Sequence, residues 1–450
     1  MAKKKESEFT PDAVIASIIA KNKATLGAAY LSKDHREYIY GVKIPALPFQ
    51  WMIGGINVIP LSRVICISGY YGSMKSTLSM EIGTWFMKAN GVEGRQDSEN
   101  KTAPGMYSAI RYDLAEELRA RSVHEHANSS EAWMQGVLNY VEACDSNEAR
   151  ACPPGHRVPV CCFVDSINGK ESESESAQLM EKGHSESRGY ATLNNQIKKF
   201  FAAVPLFGVP MLLGYTAHLK DEIPAATPGA RPGPPKQKEL GGASASFYAT
   251  LVLRLKAVGT VDYVGADKIP IEGKLIQITA HKSALGPNNR SITVPCVWRY
   301  VDDPSSKDGF RQEAWWDWDW ALGFLIWRGC YDDKGFSGHE RDAFKALFPV
   351  VKDGGSWTTP KYQELAKREE GHVTLFDDGE AHSMIELGIA VSQRPELMEK
   401  LRVMLRIMQC NDVQEIAEIP GSNDEKSRSK RKELTVEKVK KMTEEVPEEA

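Results

Sequence analysis

Residues Gly69 to Thr77 read G-Y-Y-G-S-M-K-S-T; a strand-like run, R-V-I-C-I-S, precedes them and a helical run, T-L-S-M-E-I-G-T-W-F-M, follows. Strand, glycine turn and helix start in that order bring backbone N–H groups and a helix N-terminus together on phosphate oxygens. The candidate phosphate-binding loop is therefore Gly69, Tyr70, Tyr71, Gly72, Ser73, Met74, Lys75, Ser76 and Thr77. In that role Lys75 neutralises the β- and γ-phosphates of ATP and Ser76 ligates Mg2+. Met74 stands where the consensus G-x-x-x-x-G-K-[ST] has glycine, which predicts an altered loop or slow turnover but leaves the loop length and the Lys–Ser pair intact. The competing reading is a glycine turn followed by a helix-capping serine.

A second chemical group is Asp165 in F-V-D-S, at the carboxyl end of the next apolar run. Open α/β sheets bind ligands at that end of their strands, and an acid there reaches Mg2+ through water. Taken alone, such an aspartate is also a common turn former.

These groups need strands to hold them. The apolar runs Arg63 to Ser68, Val158 to Val164 and Val209 to Tyr215 are short and bounded by glycine or proline, the pattern of a parallel sheet covered on both faces. The helical pattern from Ser185 to Val204 fits a crossover between the second and third runs. Lys220 to Gly242 is too rich in Pro and Gly for regular structure and reads as a long mobile loop. Strand-like text resumes at Ala249 to Leu255 and Leu275 to Thr279, and a helical region spans about Glu313 to Met408. The expected class is α/β with a mainly parallel sheet. It divides into an N-terminal helical arm over 1–50, a core over 51–300, a smaller, mostly helical C-terminal region over 301–420 and a charged flexible tail over 421–450.

The chain has 450 residues, 42% of them hydrophobic, enough for one large core with appended parts. No apolar run approaches the roughly 18 residues of a membrane span, and the Lys-rich start runs into Glu and Ser, unlike a signal peptide. Eight scattered cysteines without C-x-x-C spacing argue against zinc and for a reducing, cytoplasmic setting. With a net charge of −4, any nucleic-acid contact must come from local basic patches.

Over roughly Tyr38 to Tyr300 the chain resembles the RecA family of recombinases, in particular the bacteriophage RecA-like type. The resemblance lies in an ordered set: G-G-I-N-V-I-P-L-S-R-V-I-C-I-S-G leading into the phosphate loop, V-D-S at 164–166, and M-L-L-G-Y-T-A-H before a long loop that ends in G-G-A-S-A-S-F-Y-A-T. It implies a RecA-like ATPase core, ATP and Mg2+ as cofactors, and a DNA-dependent ATPase that forms helical filaments on single-stranded DNA for homologous pairing with duplex DNA, recombination and repair. Mediator or single-strand-binding proteins would be partners, no membrane is involved, and a phage-encoded protein would act in the host cytoplasm.

Residue by residue, the resemblance gives Lys75, Ser76 and Thr77 to phosphate binding and Asp165 to the Walker-B position. Glu99 in D-S-E-N-K matches the glutamate that positions the attacking water; its strand, G-V-E-G-R-Q-D, is unusually polar, and Asp113, Glu116 and Glu117 are alternatives. His218 occupies the place of a γ-phosphate-sensing glutamine, where a histidine would make sensing pH-dependent. Lys282 matches one of two basic residues that reach the neighbouring subunit's ATP; the second position is Ala280.

The two DNA-facing loops correspond to Ser176 to Arg188 and Lys220 to Gly242. Arg188, Lys220, Arg231, Lys236 and Lys238 are the candidate DNA contacts. They suit phosphate contact without base readout, and the second loop has no aromatic platform, so salt should weaken binding. The tryptophans of W-W-D-W-D-W at 315–320 read as core. Two further readings are a RecA-fold ring motor or helicase and a non-catalytic DNA-binding filament paralogue.

Overall fold

The structure is a computed structural model. It describes residues 39–98, 104–127, 129–146, 157–167, 197–204, 209–222, 236–239, 243–264, 268–331, 336–348, 373–374, 381–382 and 384–413. The strands are β1 (Tyr40–Lys43), β2 (Val58–Pro60), β3 (Arg63–Gly69), β4 (Val92–Asp97), β5 (Ser122–Glu125), β6 (Val160–Asp165), β7 (Met211–Glu222), β8 (Lys236–Glu239), β9 (Leu251–Val264), β10 (Pro270–Ser283), β11 (Arg290–Asp302), β12 (Phe310–Trp316), β13 (Val373–Thr374), β14 (Ala381–His382) and β15 (Asn411–Asp412).

A ten-stranded sheet organises the molecule. Six strands in the order β5-β4-β6-β7-β3-β9 are all parallel. Beyond β9 the sheet continues antiparallel through β10, β11 and β12, and β8 folds back antiparallel on β7. The fold is thus α/β with a mostly parallel sheet, as the glycine-bounded apolar runs predict.

β3 shows why these runs become strands. Ile65 and Ile67 enter the core on one face, Val64 and Cys66 the core on the other, and all four are buried. A parallel strand covered on both sides needs that uninterrupted apolar text. The helix Lys75–Lys88 covers the first face with Leu78, Ile82, Trp85 and Phe86. The second face is covered by the helix Ser130–Cys144, through Trp133, Met134, Val137 and Leu138, together with the helical residues 197–203. Ser129 starts the Ser130–Cys144 helix by accepting the Ala132 N–H at 3.0 Å. No described helix is long and apolar enough to cross a membrane.

The first-face core runs from Val42 to Val413 and joins segments that the sequence reading separates. β1 pairs with both β2 and β15, and Trp316 and Trp320 are buried in the same core as Ile65. The boundary drawn at 300 falls within β11, and the one at 50 within the helix Leu47–Met52, whose six residues are all buried. The described C-terminal helices, Trp318–Tyr331, Gly338–Leu347, Met384–Ser392 and Pro395–Met404, all contribute to this core. Residues 1–38 of the expected helical arm and the tail at 421–450 lie outside the described residues.

One expectation is corrected. Lys220 to Gly242 is not without regular structure: β7 continues through Lys220 to Glu222, and Lys236–Glu239 returns as β8, with Leu219 opposite Glu239 and Glu222 opposite Lys236. Hairpin pairing satisfies the backbone groups at both ends of the segment, which a count of Pro and Gly cannot register.

Candidate functional site

Because β3, β7, β6 and β4 are parallel, the carboxyl ends of β3, β6 and β4 share one edge of the sheet, past which β7 runs on to Glu222. Gly69 pairs with His218, and Asp97 with Asp165. β7 lies between the strand that leads into the candidate loop at 69–77 and the strand that ends in Asp165, so His218 comes between those two features. Its Nδ1 is 3.5 Å from Lys75 Nζ. Lys75 is only 7% exposed, and its ammonium donates to the Gly69 carbonyl at 3.1 Å and the Tyr70 carbonyl at 3.0 Å. A buried ammonium requires such acceptors. Asp165 is also buried; its carboxylate accepts the Thr216 hydroxyl at 2.5 Å, its carbonyl accepts the Ser98 N–H at 2.9 Å, and its peptide bond to Ser166 is cis.

The loop itself is tight. Ser73 donates through Oγ to the Tyr70 carbonyl at 2.7 Å, and Gly72 has φ 72°. Met74, in the place of a consensus glycine, has φ 63°, a left-handed conformation that costs a side-chain-bearing residue about 1–2 kcal/mol. Its sulfur accepts the Thr77 hydroxyl at 3.7 Å, and its side chain packs against the first-face core. The first intrahelical bond here runs from the Leu78 N–H to the Met74 carbonyl at 3.0 Å. This leaves the N–H groups of Lys75, Ser76 and Thr77 at the positive end of a 14-residue helix. Tyr71, at the loop crest, is 89% exposed.

That donor set fits a polyphosphate. Ser76 and Asp165 are the residues that would hold Mg2+. No group of three or more His, Cys, Asp or Glu among the described residues could hold a metal. An ion ligated largely by phosphate oxygens and water needs no such group.

Glu99 lies outside the described residues, but its polar strand is real: β4 runs between β6 and β5 and ends at Asp97. The alternatives are placed elsewhere. Asp113 pairs at 3.1 Å with Lys88, the last residue of the helix that Lys75 opens, about 20 Å along its axis. Glu116 and Glu117 are exposed on a short helix just before β5, by the amino ends of the strands. None of the three joins the carboxyl edge.

β4 carries an ionic network that the sequence reading missed. Glu93 and Arg95 are fully buried and paired at 2.9 Å, and the second Glu93 oxygen takes Arg111 and the Ser122 hydroxyl. Arg95 also donates to Ser79 of the Lys75–Lys88 helix at 2.9 Å and lies over the rings of Tyr107 and Phe163. Burial pushes Glu93 up, but Arg95 and Arg111 outweigh it and hold the carboxyl below its usual range. Gly83 makes the close approach possible: a Cβ there would lie 2.4 Å from a Glu93 oxygen.

Of the candidate DNA contacts, Arg188 and Arg231 lie outside the described residues, Lys220 is exposed near the end of β7, and Lys236 and Lys238 lie on β8. Lys282, on β10, donates to the carbonyls of Ser246 at 3.2 Å and Phe247 at 2.5 Å, closing the end of the helix Ala243–Tyr248. Within its own chain Lys282 thus meets this helix. Phe247 is 72% exposed and stands edge-on to Tyr248, an aromatic pair immediately after the basic segment. The F-Y of G-G-A-S-A-S-F-Y was its signal in the sequence. Lys274 was also missed; its ammonium donates to the Gly72 carbonyl at 3.0 Å.

Comparison with protein-family models and with curated proteins gave no match.

Proposed function

We propose that this chain is an ATP-dependent recombinase with a RecA-like core, assembling as filaments on single-stranded DNA to pair it with homologous duplex. The observation that carries the nucleotide half of this reading is the meeting of Lys75, His218 and Asp165 on one sheet edge, with the phosphate loop feeding the helix that Lys75 opens. The DNA half rests on the order of motifs in the sequence and on a hairpin that carries Lys220, Lys236 and Lys238 among three carboxylates and is followed by exposed Phe247 and Tyr248, which suits backbone contact with stacking beside it.

In this reading the Lys75 ammonium leaves the loop carbonyls for the β- and γ-phosphates, and the N–H groups that open its helix bind the same oxygens. His218 contacts the terminal phosphate, and Glu99 orients the attacking water. Ser76 and Asp165 would hold Mg2+, whose charge would offset that of the phosphates. Lys282 acts on the ATP of an adjacent subunit, so assembly and hydrolysis are coupled.

One observation favours a second reading. Met74 holds a left-handed conformation in the place of a glycine, and a loop strained there fits a slow or non-hydrolysing filament protein.

The test is ATP hydrolysis with and without single-stranded DNA, for wild type and Lys75→Ala, with the same samples imaged by negative-stain microscopy. DNA-stimulated turnover that falls at least a hundredfold in the variant, together with helical filaments, is the expected outcome. Filaments without turnover select the non-catalytic reading; rings or DNA-independent monomers overturn the recombinase.

A further inference from the structure

We propose that Lys274 is a positioning residue of the phosphate loop that also brings a second ammonium to bound polyphosphate, within its own chain. This rests on the nucleotide-binding reading of the loop.

The placement follows from strand lengths. β9 stays beside β3 only as far as Leu255 opposite Gly69, then runs on to Val264. β10 returns along that extension, with Lys274 opposite Thr260. The hairpin therefore stands past the carboxyl end of β3, on the edge where the loop emerges. β10 pairs with β11 without interruption from Lys274 to Ala280, so Lys274 shares a face with Ile276 and Ile278. That is the core face covered by the helix Lys75–Lys88.

The contact is specific. Lys274 Nζ is 3.0 Å from the Gly72 carbonyl oxygen and partly buried. Gly72 suits the place: its φ of 72° is left-handed, and a Cβ on it would lie 3.2 Å from that ammonium, which would have to shift slightly. Any side chain at 72 would therefore strain the turn and crowd Lys274.

Two chemical consequences follow. An ammonium on a carbonyl polarises the whole peptide, and the N–H of the Gly72–Ser73 peptide belongs to Ser73, whose acceptor here is the Tyr70 carbonyl at 3.3 Å. Lys274 thus sharpens a donor at the loop crest while fixing its orientation, next to a Met74 whose backbone conformation is unfavourable. The ammonium also sits within one loop residue of where phosphate oxygens bind, and a charged phosphate is a stronger acceptor than a neutral carbonyl. Lys75, beneath the loop, and Lys274, over its crest, are both anchored on loop carbonyls, at Gly69, Tyr70 and Gly72.

The experiment measures equilibrium binding of ATP with Mg2+ at low and high salt for the full chain, its Lys274→Met, Lys274→Arg and Lys75→Ala variants, alongside melting without nucleotide. Lys274→Met should melt like wild type, bind ATP about tenfold more weakly, equivalent to about 1.4 kcal/mol, and show a shallower salt dependence. Lys274→Arg should restore most of the affinity. If Lys274→Met binds as tightly as wild type while Lys75→Ala does not bind, Lys274 has no such role and the loop reading stands. If affinity is lost only together with melting temperature and arginine does not restore it, Lys274 is merely structural and the proposal is overturned. Wild-type affinity in Lys75→Ala would remove the nucleotide reading and this proposal with it.

Discussion

β3 and β4 belong to the parallel part of one sheet, have similar length and are both buried, yet they are built from opposite kinds of residue. β3 reads R-V-I-C-I-S-G and is held by apolar packing on two faces; β4 reads V-E-G-R-Q-D and buries the carboxylates of Glu93 and Asp97 and the guanidinium of Arg95. Charges survive in β4 because each has its partner in place: Glu93 has Arg95, Arg111 and Ser122, and Arg95 has Ser79 and two aromatic faces. Burial is a property of position in the sheet. Apolar side chains meet its demands singly, whereas charged ones meet them only as a set.

The hardest test of that contrast is Glu93→Ala. It leaves two guanidinium groups buried without their carboxylate, and the expected loss is about 3–5 kcal/mol in urea unfolding. If the loss is no greater than the roughly 0.5–1.5 kcal/mol of an Ile→Val change in β3, the two strands do not differ in this way.

A second test sets a paired buried acid against one with a single partner. Asp317 caps the helix Trp318–Tyr331 by accepting the Trp320 N–H at 2.8 Å, and burial pushes its carboxyl up to about 6. The folded chain therefore keeps a proton between about pH 4 and 6 that the unfolded chain releases, so this group adds stability as pH falls through 6. Glu93, held below its usual range, works the other way: its contribution is present above the ordinary carboxyl range and is lost as pH drops through its folded value. Asp317→Asn should flatten the stability profile between about pH 4 and 6 without altering the loss on stronger acidification; an unchanged profile rules this account out.

The smallest effect is expected just past the end of β3. Met74→Gly relieves a left-handed methionine and should add about 1 kcal/mol, seen as a higher denaturant midpoint at unchanged slope. A decrease would mean that the packing of Met74 and its contact with Thr77 outweigh the backbone cost.

The sequence was legible where position and residue type agree. The apolar β3, β6 and start of β7 are strands of a mostly parallel sheet, as their text predicts, because a parallel strand covered on both faces admits little else. β4 was read with difficulty, since Glu93, Arg95 and Gln96 look solvated until Arg111, Ser122 and Glu125, brought by other segments, stand beside them. β8 was missed because pairing across a Pro/Gly-rich segment depends on the partner strand. The union of Tyr40–Lys43 with Asn411–Asp412, some 370 residues apart in sequence, leaves no local signal at all. Lys274 was passed over because a lysine among strand residues, in G-K-L-I-Q, has no local mark of its destination.

The network around Glu93 also has a consequence for how this sequence can change. Gly83 has no room for a methyl group while Glu93 is present, Glu93 is held in its charged form by Arg95 and Arg111, and Arg95 reaches Ser79. Gly83 cannot gain a side chain without a clash, and Glu93 cannot be lost without leaving two guanidinium groups without their carboxylate, yet a joint exchange for apolar residues of matching volume leaves neither. The route between the two solutions passes through poorly folding intermediates, so these positions, spread over three segments, drift together or stay as they are.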